Sequence, residues 1–262
     1  MSKTSIRQSG FTLIELVITI VVVAIMVMGI AGFIELGTKG YVDTVDRQQL
    51  QNQARFAVEK ITREIRHAVP NSFVINGDDT CDKSLSFYPI DYAGAYGDLP
   101  NSDAEQFQFV VVSAGFAGQV SEINLVGKKL IVNPASQSDF ETASSKNSFE
   151  IDNITENSSH VFTATEVNTN DFNQGNISDS VASRLYIYSH KVEYCIRNGG
   201  LYRNGIQVGD DIRSDSEFSN GDTDGAQSDT LARSGLVHLK LIFEMNDEVT
   251  EYDGDVQILN VP

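Results

Sequence analysis

The chain has 262 residues, with 19 basic and 36 acidic side chains and a formal charge of −17. That balance argues against a nucleic-acid groove, which needs clustered Lys and Arg. It suits an acidic exported domain, and residues 70–262 are enough for one core or for a core carrying a large insertion. The first element is apolar: from Phe11 to Ile34 the single charged side chain is Glu15. As a helix this run extends about 36 Å, enough to cross a bilayer. A carboxylate in hydrocarbon costs at least a few kcal/mol, so Glu15 needs a cationic partner. Cleavage between Gly10 and Phe11 would supply one, because the new α-amine of Phe11 lies about one turn from Glu15, on the same subunit or a neighbour. Lys3 and Arg7 precede the span with no acid among them, which keeps that end cytoplasmic. A secretory signal peptide has a shorter apolar region without such an acid. A plain anchor explains the length but neither Glu15 nor the Gly-Phe junction.

Gly10-Phe11-Thr12-Leu13-Ile14-Glu15, with its basic leader and apolar run, resembles the type IV prepilin signature. The resemblance implies that a prepilin peptidase removes residues 1–10, that Phe11 becomes the N-methylated first residue, and that Glu15 serves subunit assembly. Farther along, Gln53-Ala54-Arg55-Phe56-Ala57, the run Glu59-Lys60-Ile61-Thr62-Arg63-Glu64-Ile65-Arg66, and Ala68-Val69-Pro70-Asn71-Ser72 are similar to MshO-like minor pilins of mannose-sensitive haemagglutinin (MSHA) pilus systems. Gly40-Tyr41-Val42-Asp43-Thr44-Val45 and Cys81 leading into Leu85-Ser86-Phe87-Tyr88-Pro89-Ile90 belong to the same likeness. Val192-Glu193-Tyr194-Cys195 and Gly200-Leu201-Tyr202-Arg203 resemble the broader family of J-type pseudopilins and W-type minor pilins. This likeness implies a low-abundance subunit, not an enzyme, that primes or caps a filament. Its implied partners are the prepilin peptidase and other major and minor pilins, with no nucleic acid. It would sit first in the inner membrane, single-pass with a periplasmic domain, and then in the pilus at the cell surface.

After Ile34 the helical pattern changes character. Leu50, Ala54, Ala57, Val58, Ile61, Ile65 and Ala68 form one apolar stripe, and Pro70 ends it. The spacing predicts one helix over 11–69: a membrane and filament-core half at 11–34 and an amphipathic half at 35–69. Gly32 stands where many major pilins carry a helix-breaking Pro, so a kink or local melting is an option there. Beyond Pro70, two-residue alternation predicts strands at 84–90, 106–113, 121–126, 128–132, 148–151, 160–164, 184–197, 200–203, 236–244 and 256–260. Asn198-Gly199-Gly200 reads as a tight turn, and Ala114-Gly115-Phe116-Ala117-Gly118 as another. Polar stretches at 133–147, 165–180 and 209–230 read as loops or mobile insertions. A long helix followed by strands is α+β: a pilin-like fold, its helix packed on an antiparallel β-sheet domain at 70–262.

Cys81 and Cys195 lie far apart without a CxxC spacing, which argues against a zinc or thioredoxin-like site. Outside the cytoplasmic membrane one disulfide is the natural reading. His67, His160, His190 and His238 show no HExxH spacing and read as surface or strand residues. No cofactor is expected. Calcium is the one metal the sequence suggests: Asn220, Asp222 and Asp224 fit the opening of a calcium loop, helped by Asp215 or Asp229, but Leu231 stands where the bidentate Glu belongs. Asn153, Asn157 and Asn176 begin N-x-Ser/Thr triplets to which the bacterial context assigns no sugar. Two further functions compete with assembly. One is a tip adhesin binding carbohydrate or surfaces, with Tyr92 and Tyr96 as exposed stacking residues; the other is a minor pseudopilin of a type II secretion system.

Overall fold

A computed structural model describes residues 10–77, 80–97, 99, 106–112, 120–141, 147–158, 160–165, 180, 182–220 and 235–258. Elements are labelled in chain order. The chain divides into two units, Met1–Gln49 and Leu50–Pro262. Helix α1 (Leu13–Arg66) begins in the first and ends in the second. In the first unit every residue from Gly10 to Val45 is exposed, and the helix is long and apolar enough to cross a membrane. It runs without a break through Gly32. Arg63 and Arg66 occupy its last turn, where cations meet the negative end of the helix dipole.

In the second unit the α1 residues Leu50, Ala54, Ala57, Ile61 and Ile65 are buried, the stripe expected from their three- and four-residue steps. They pack on two antiparallel sheets. One has the order β1 (Val74–Asn76), β2 (Lys83–Phe87), β10 (Val192–Arg197), β11 (Gly200–Arg203), β12 (Ile206–Gly209). The other is β13 (Glu217–Asn220), β14 (Leu236–Met245), β15 (Glu248–Gln257). Leu85 and Phe87 of β2, Tyr194 and Ile196 of β10, and Leu239, Leu241 and Phe243 of β14 meet the helix stripe in one core. The fold is α+β, a long helix against antiparallel sheets.

Strands β2 and β10 are direct neighbours, with Phe87 opposite Val192. The chain between them makes a third sheet of seven strands: β6 (Ser148–Glu150), β5 (Lys129–Val132), β9 (Arg184–Tyr188), β3 (Tyr92–Tyr96), β4 (Gln106–Val112), β8 (Val161–Thr165), β7 (Asn153–Ser158). In chain order the five-stranded sheet is therefore a host with the seven-stranded sheet nested inside it. The nested sheet curls. Phe149 on β6 and Phe107 on β4 are four strand spacings apart, about 19 Å if flat, yet their ring centroids lie 5.9 Å apart. Phe107, Phe109, Phe162, Leu130, Leu185 and Ile187 fill the concave core. On the opposite face Ile131, Tyr186 and Tyr188 pack with Val69, Ile90 and Phe140. Val69 belongs to the segment after α1, so this third core seats the insertion on the host. Backbone bonds from Val69 N to Tyr88 O (2.8 Å) and Ile90 N to His67 O (2.9 Å) reinforce the seam.

Several sequence expectations change. Residues 121–126 are not a strand: α2 (Glu122–Leu125) is a single helical turn held by buried Leu125. The run 184–197 is two strands in different sheets, broken at exposed Ser189-His190-Lys191. The stretch 133–147 contains a short helix, α3 (Ser138–Glu141), and 209–230 contains β13. β15 begins at Glu248, not 256, and pairs with β14 along its whole length. The turn at 114–118 lies outside the described residues.

Candidate functional site

Thr12 precedes the first helical residue, and its Oγ1 accepts the N–H of Glu15 at 3.4 Å. Thr12 and Glu15 thus hold the first and fourth positions of a capping-box sequence. The acid at the third helical position also favours the positive end of the helix dipole. This supplies a structural reason for Glu15 beside the functional one. Its side chain is exposed, among neighbours such as Phe11, Leu13 and Ile14 that are exposed as well. A run of exposed large apolar side chains needs covering by lipid or by other helices. Gly10 and Phe11 precede the helix in open, non-helical chain. Lys3 and Arg7 lie outside the described residues.

In the second unit, Glu64 ties helix to sheet. Tyr194 Oη donates to its Oε2 at 3.0 Å, and Arg203 Nε donates to its Oε1 and Oε2 at 3.1 and 2.9 Å. Burial pushes the Tyr194 hydroxyl well above its ordinary pKa, and the neighbouring Glu64 carboxylate pushes it further. Burial likewise raises Tyr186 and Tyr188. Cys81 and Cys195 are joined, their Cα atoms 5.5 Å apart. The bond fastens the approach to β2 onto β10, toward the end of that strand pair away from the insertion, which leaves after Phe87 and returns at Val192.

Tyr92 and Tyr96 are not exposed. Both are buried on β3 in the middle of the nested sheet. Tyr96 packs at a tilt against Phe107 and its hydroxyl oxygen accepts the Ser180 N–H at 2.9 Å; the Lys128 ammonium lies 5.9 Å over the Tyr92 ring. A sugar platform built on them is ruled out by packing. Asp215, named as a helper of the calcium loop, is paired with an arginine. Arg213 holds it in two hydrogen bonds, from Nε (2.6 Å) and Nη2 (2.5 Å), and these keep its carboxyl below the usual range. Asn220 ends β13 opposite Val237. Asp222, Asp224, Asp229 and Leu231 lie outside the described residues. Among the described residues no three His, Cys, Asp or Glu side chains are grouped to hold a metal ion.

The four histidines are dispersed. His67 follows α1, His160 sits in the β7–β8 turn at φ 64°, and His190 meets the Ser189 hydroxyl at 2.9 Å. His238 on β14 lies between Asp255 (2.8 Å) and Asp253 (3.4 Å). That last grouping escapes sequence reasoning because the acids lie on the next strand and meet His238 only through register.

The prokaryotic N-terminal methylation motif matches residues 6–31. No curated protein and no solved structure gives a significant match. The motif supports a type IV pilin-like or pseudopilin precursor, anchored in a membrane by its apolar helix. It implies processing by a prepilin peptidase and assembly with other pilins, and it points to a structural subunit rather than an enzyme.

Proposed function

We propose that the chain is a minor pilin of an MSHA-type type IV pilus, MshO-like, acting in pilus initiation near the tip. In this reading residues 1–10 are the leader, 11–34 the membrane and filament-core helix, 35–69 the amphipathic half, and 70–262 the exported head. The peptidase cuts between Gly10 and Phe11, and Phe11 is N-methylated. The head first faces the periplasm from the inner membrane and later the cell surface. Glu15 then pairs with a Phe11 amine of the same or a neighbouring subunit, and the stem packs among like stems.

One observation carries the reading: a lone carboxylate at the third position of a helix whose first turns are otherwise apolar and exposed, next to a Gly-Phe junction. Burial in a bundle leaves Glu15 costly unless a cation meets it. Mass spectrometry of the mature protein should give a first residue of methylated Phe11. Glu15→Ala should be processed normally yet support few or no filaments by electron microscopy. Normal piliation by that variant overturns the proposal. A recognition role at the tip keeps one supporting feature, the nested seven-stranded sheet, which is more structure than anchoring a stem requires. Gene deletion separates the two: loss of pili indicates assembly, normal pili that no longer adhere indicate recognition. A type II secretion pseudopilin would share the stem chemistry, and neighbouring genes distinguish it.

A further inference from the structure

The described strands differ in how they guard sheet edges. Open edges invite pairing with other chains, and proteins blunt them with shortness, bulges or covering groups. β1 and β6 have three residues each, β12 and β13 four. β7 carries a bulge between Glu156 and Ser158, and Glu122 Oε1 accepts the Glu156 N–H. β15 has ten residues, no register shift, and no backbone partner on its outer edge among the described residues.

The register shows what that edge presents. Ile258 N donates to Gly235 O at 2.8 Å. With alternation along the ladder, Thr250, Tyr252, Gly254 and Val256 spend their backbone groups on β14. Val249, Glu251, Asp253, Asp255 and Gln257 therefore turn N–H and C=O outward. The same five side chains are all exposed. The open edge and the acidic face thus belong to the same residues. Lys240 on β14 offsets part of this charge, 3.9 Å from Glu251, and the His238 ring lies 2.8 Å from Asp255, while Glu217 adds to the charge opposite Lys240.

We propose that β15 docks an extended segment of another protein as an added strand, with Lys or Arg at alternate positions opposite Glu251, Asp253 and Asp255. Cross-strand partners share a face and interact directly. Alternate basic residues would meet the three acids, whereas a second copy of β15 would not. Antiparallel self-pairing centred on Asp253 sets Glu251 against Asp255 and Asp253 against itself, and like charges directly opposite repel. The bulk charge of −17 likewise favours a basic partner over a copy. The docking depends on the folded edge, not on Glu15, so filament assembly and strand docking can fail independently.

Fluorescence anisotropy on the full chain in detergent micelles tests this with a labelled heptapeptide in which Lys alternates with Thr. One control replaces Lys by Glu; another keeps the Lys count but spaces the lysines irregularly. The alternating Lys peptide should bind on the order of tenfold tighter than either. Hydrogen exchange at Glu251, Asp253 and Asp255 should slow on binding. Asp253→Pro removes an outward N–H without breaking a bond to β14 and should weaken binding on the order of tenfold. Glu251→Lys combined with Asp255→Lys leaves the backbone intact and should switch preference to the Glu peptide. Absence of binding, equal binding of the irregular peptide, or binding unchanged in both variants overturns the proposal and leaves the acids as an edge guard. Dimerisation through β15 in the unmodified chain overturns it in favour of a second copy.

Discussion

Three buried tyrosines give the head an alkaline weakness. Tyr186, Tyr188 and Tyr194 hold raised pKa values because burial penalises the phenolate. In the unfolded chain they ionise near pH 10. A raised folded value means the stability is fully present below about pH 10 and is lost as pH rises toward the folded values. Urea midpoints should be level from pH 7 to 9 and fall beyond pH 10, with tyrosinate absorbance appearing together with unfolding. Tyr194→Phe should cost about 1 kcal/mol at neutral pH and flatten that decline. At Gly94 the constraint is steric: a Cβ there would sit 2.2 Å from the Val110 carbonyl oxygen. Gly94→Ala must push β3 from β4 and should lower stability by about 1–3 kcal/mol in chemical denaturation, more than Ala substitution at exposed Gly97.

Among the elements, the Cys81–Cys195 bond closes the longest covalent loop and encloses the whole insertion. Replacing both cysteines with Ser should cost about 4–5 kcal/mol in the chain-entropy account, read from urea curves of the variant and the parent. How much of the architecture was legible depended on where its signal lay. The stripe Leu50, Ala54, Ala57, Ile61, Ile65 was readable because helical period and burial coincide. Asn198-Gly199 was readable because both residues need positive φ, at 49° and 72°. Asn204-Gly205 carries the same signature, at 47° and 79°, and could have revealed β12. β15 was mostly illegible: Glu-Tyr-Asp-Gly-Asp has poor strand propensity, and pairing with β14 decides its state. β3 was hidden for a similar reason, since Tyr92-Ala-Gly-Ala-Tyr96 reads as a loop until β4 and β9 flank it. The prepilin-like site was legible because it is local. The acidic edge was not, because neighbouring strands and register create it.

For the whole molecule, the nesting makes a separation testable. Because Phe87 and Val192 are cross-strand partners, a two-residue turn can replace residues 88–191. The shortened chain should keep helical circular dichroism and form the Cys81–Cys195 bond, with lower stability from loss of the core at Val69. Failure to oxidise would show that the host sheet depends on its insert. The same arrangement sets a schedule for a chain synthesised from its N-terminus. β2 emerges long before its neighbour β10, and closing so large a loop is entropically slow. Every strand of the nested sheet finds its partners within the nested sheet. Once those strands zip up, they hold the two ends of the host sheet side by side and convert a distant encounter into a short one. The inner sheet thus serves as a splint for the outer one.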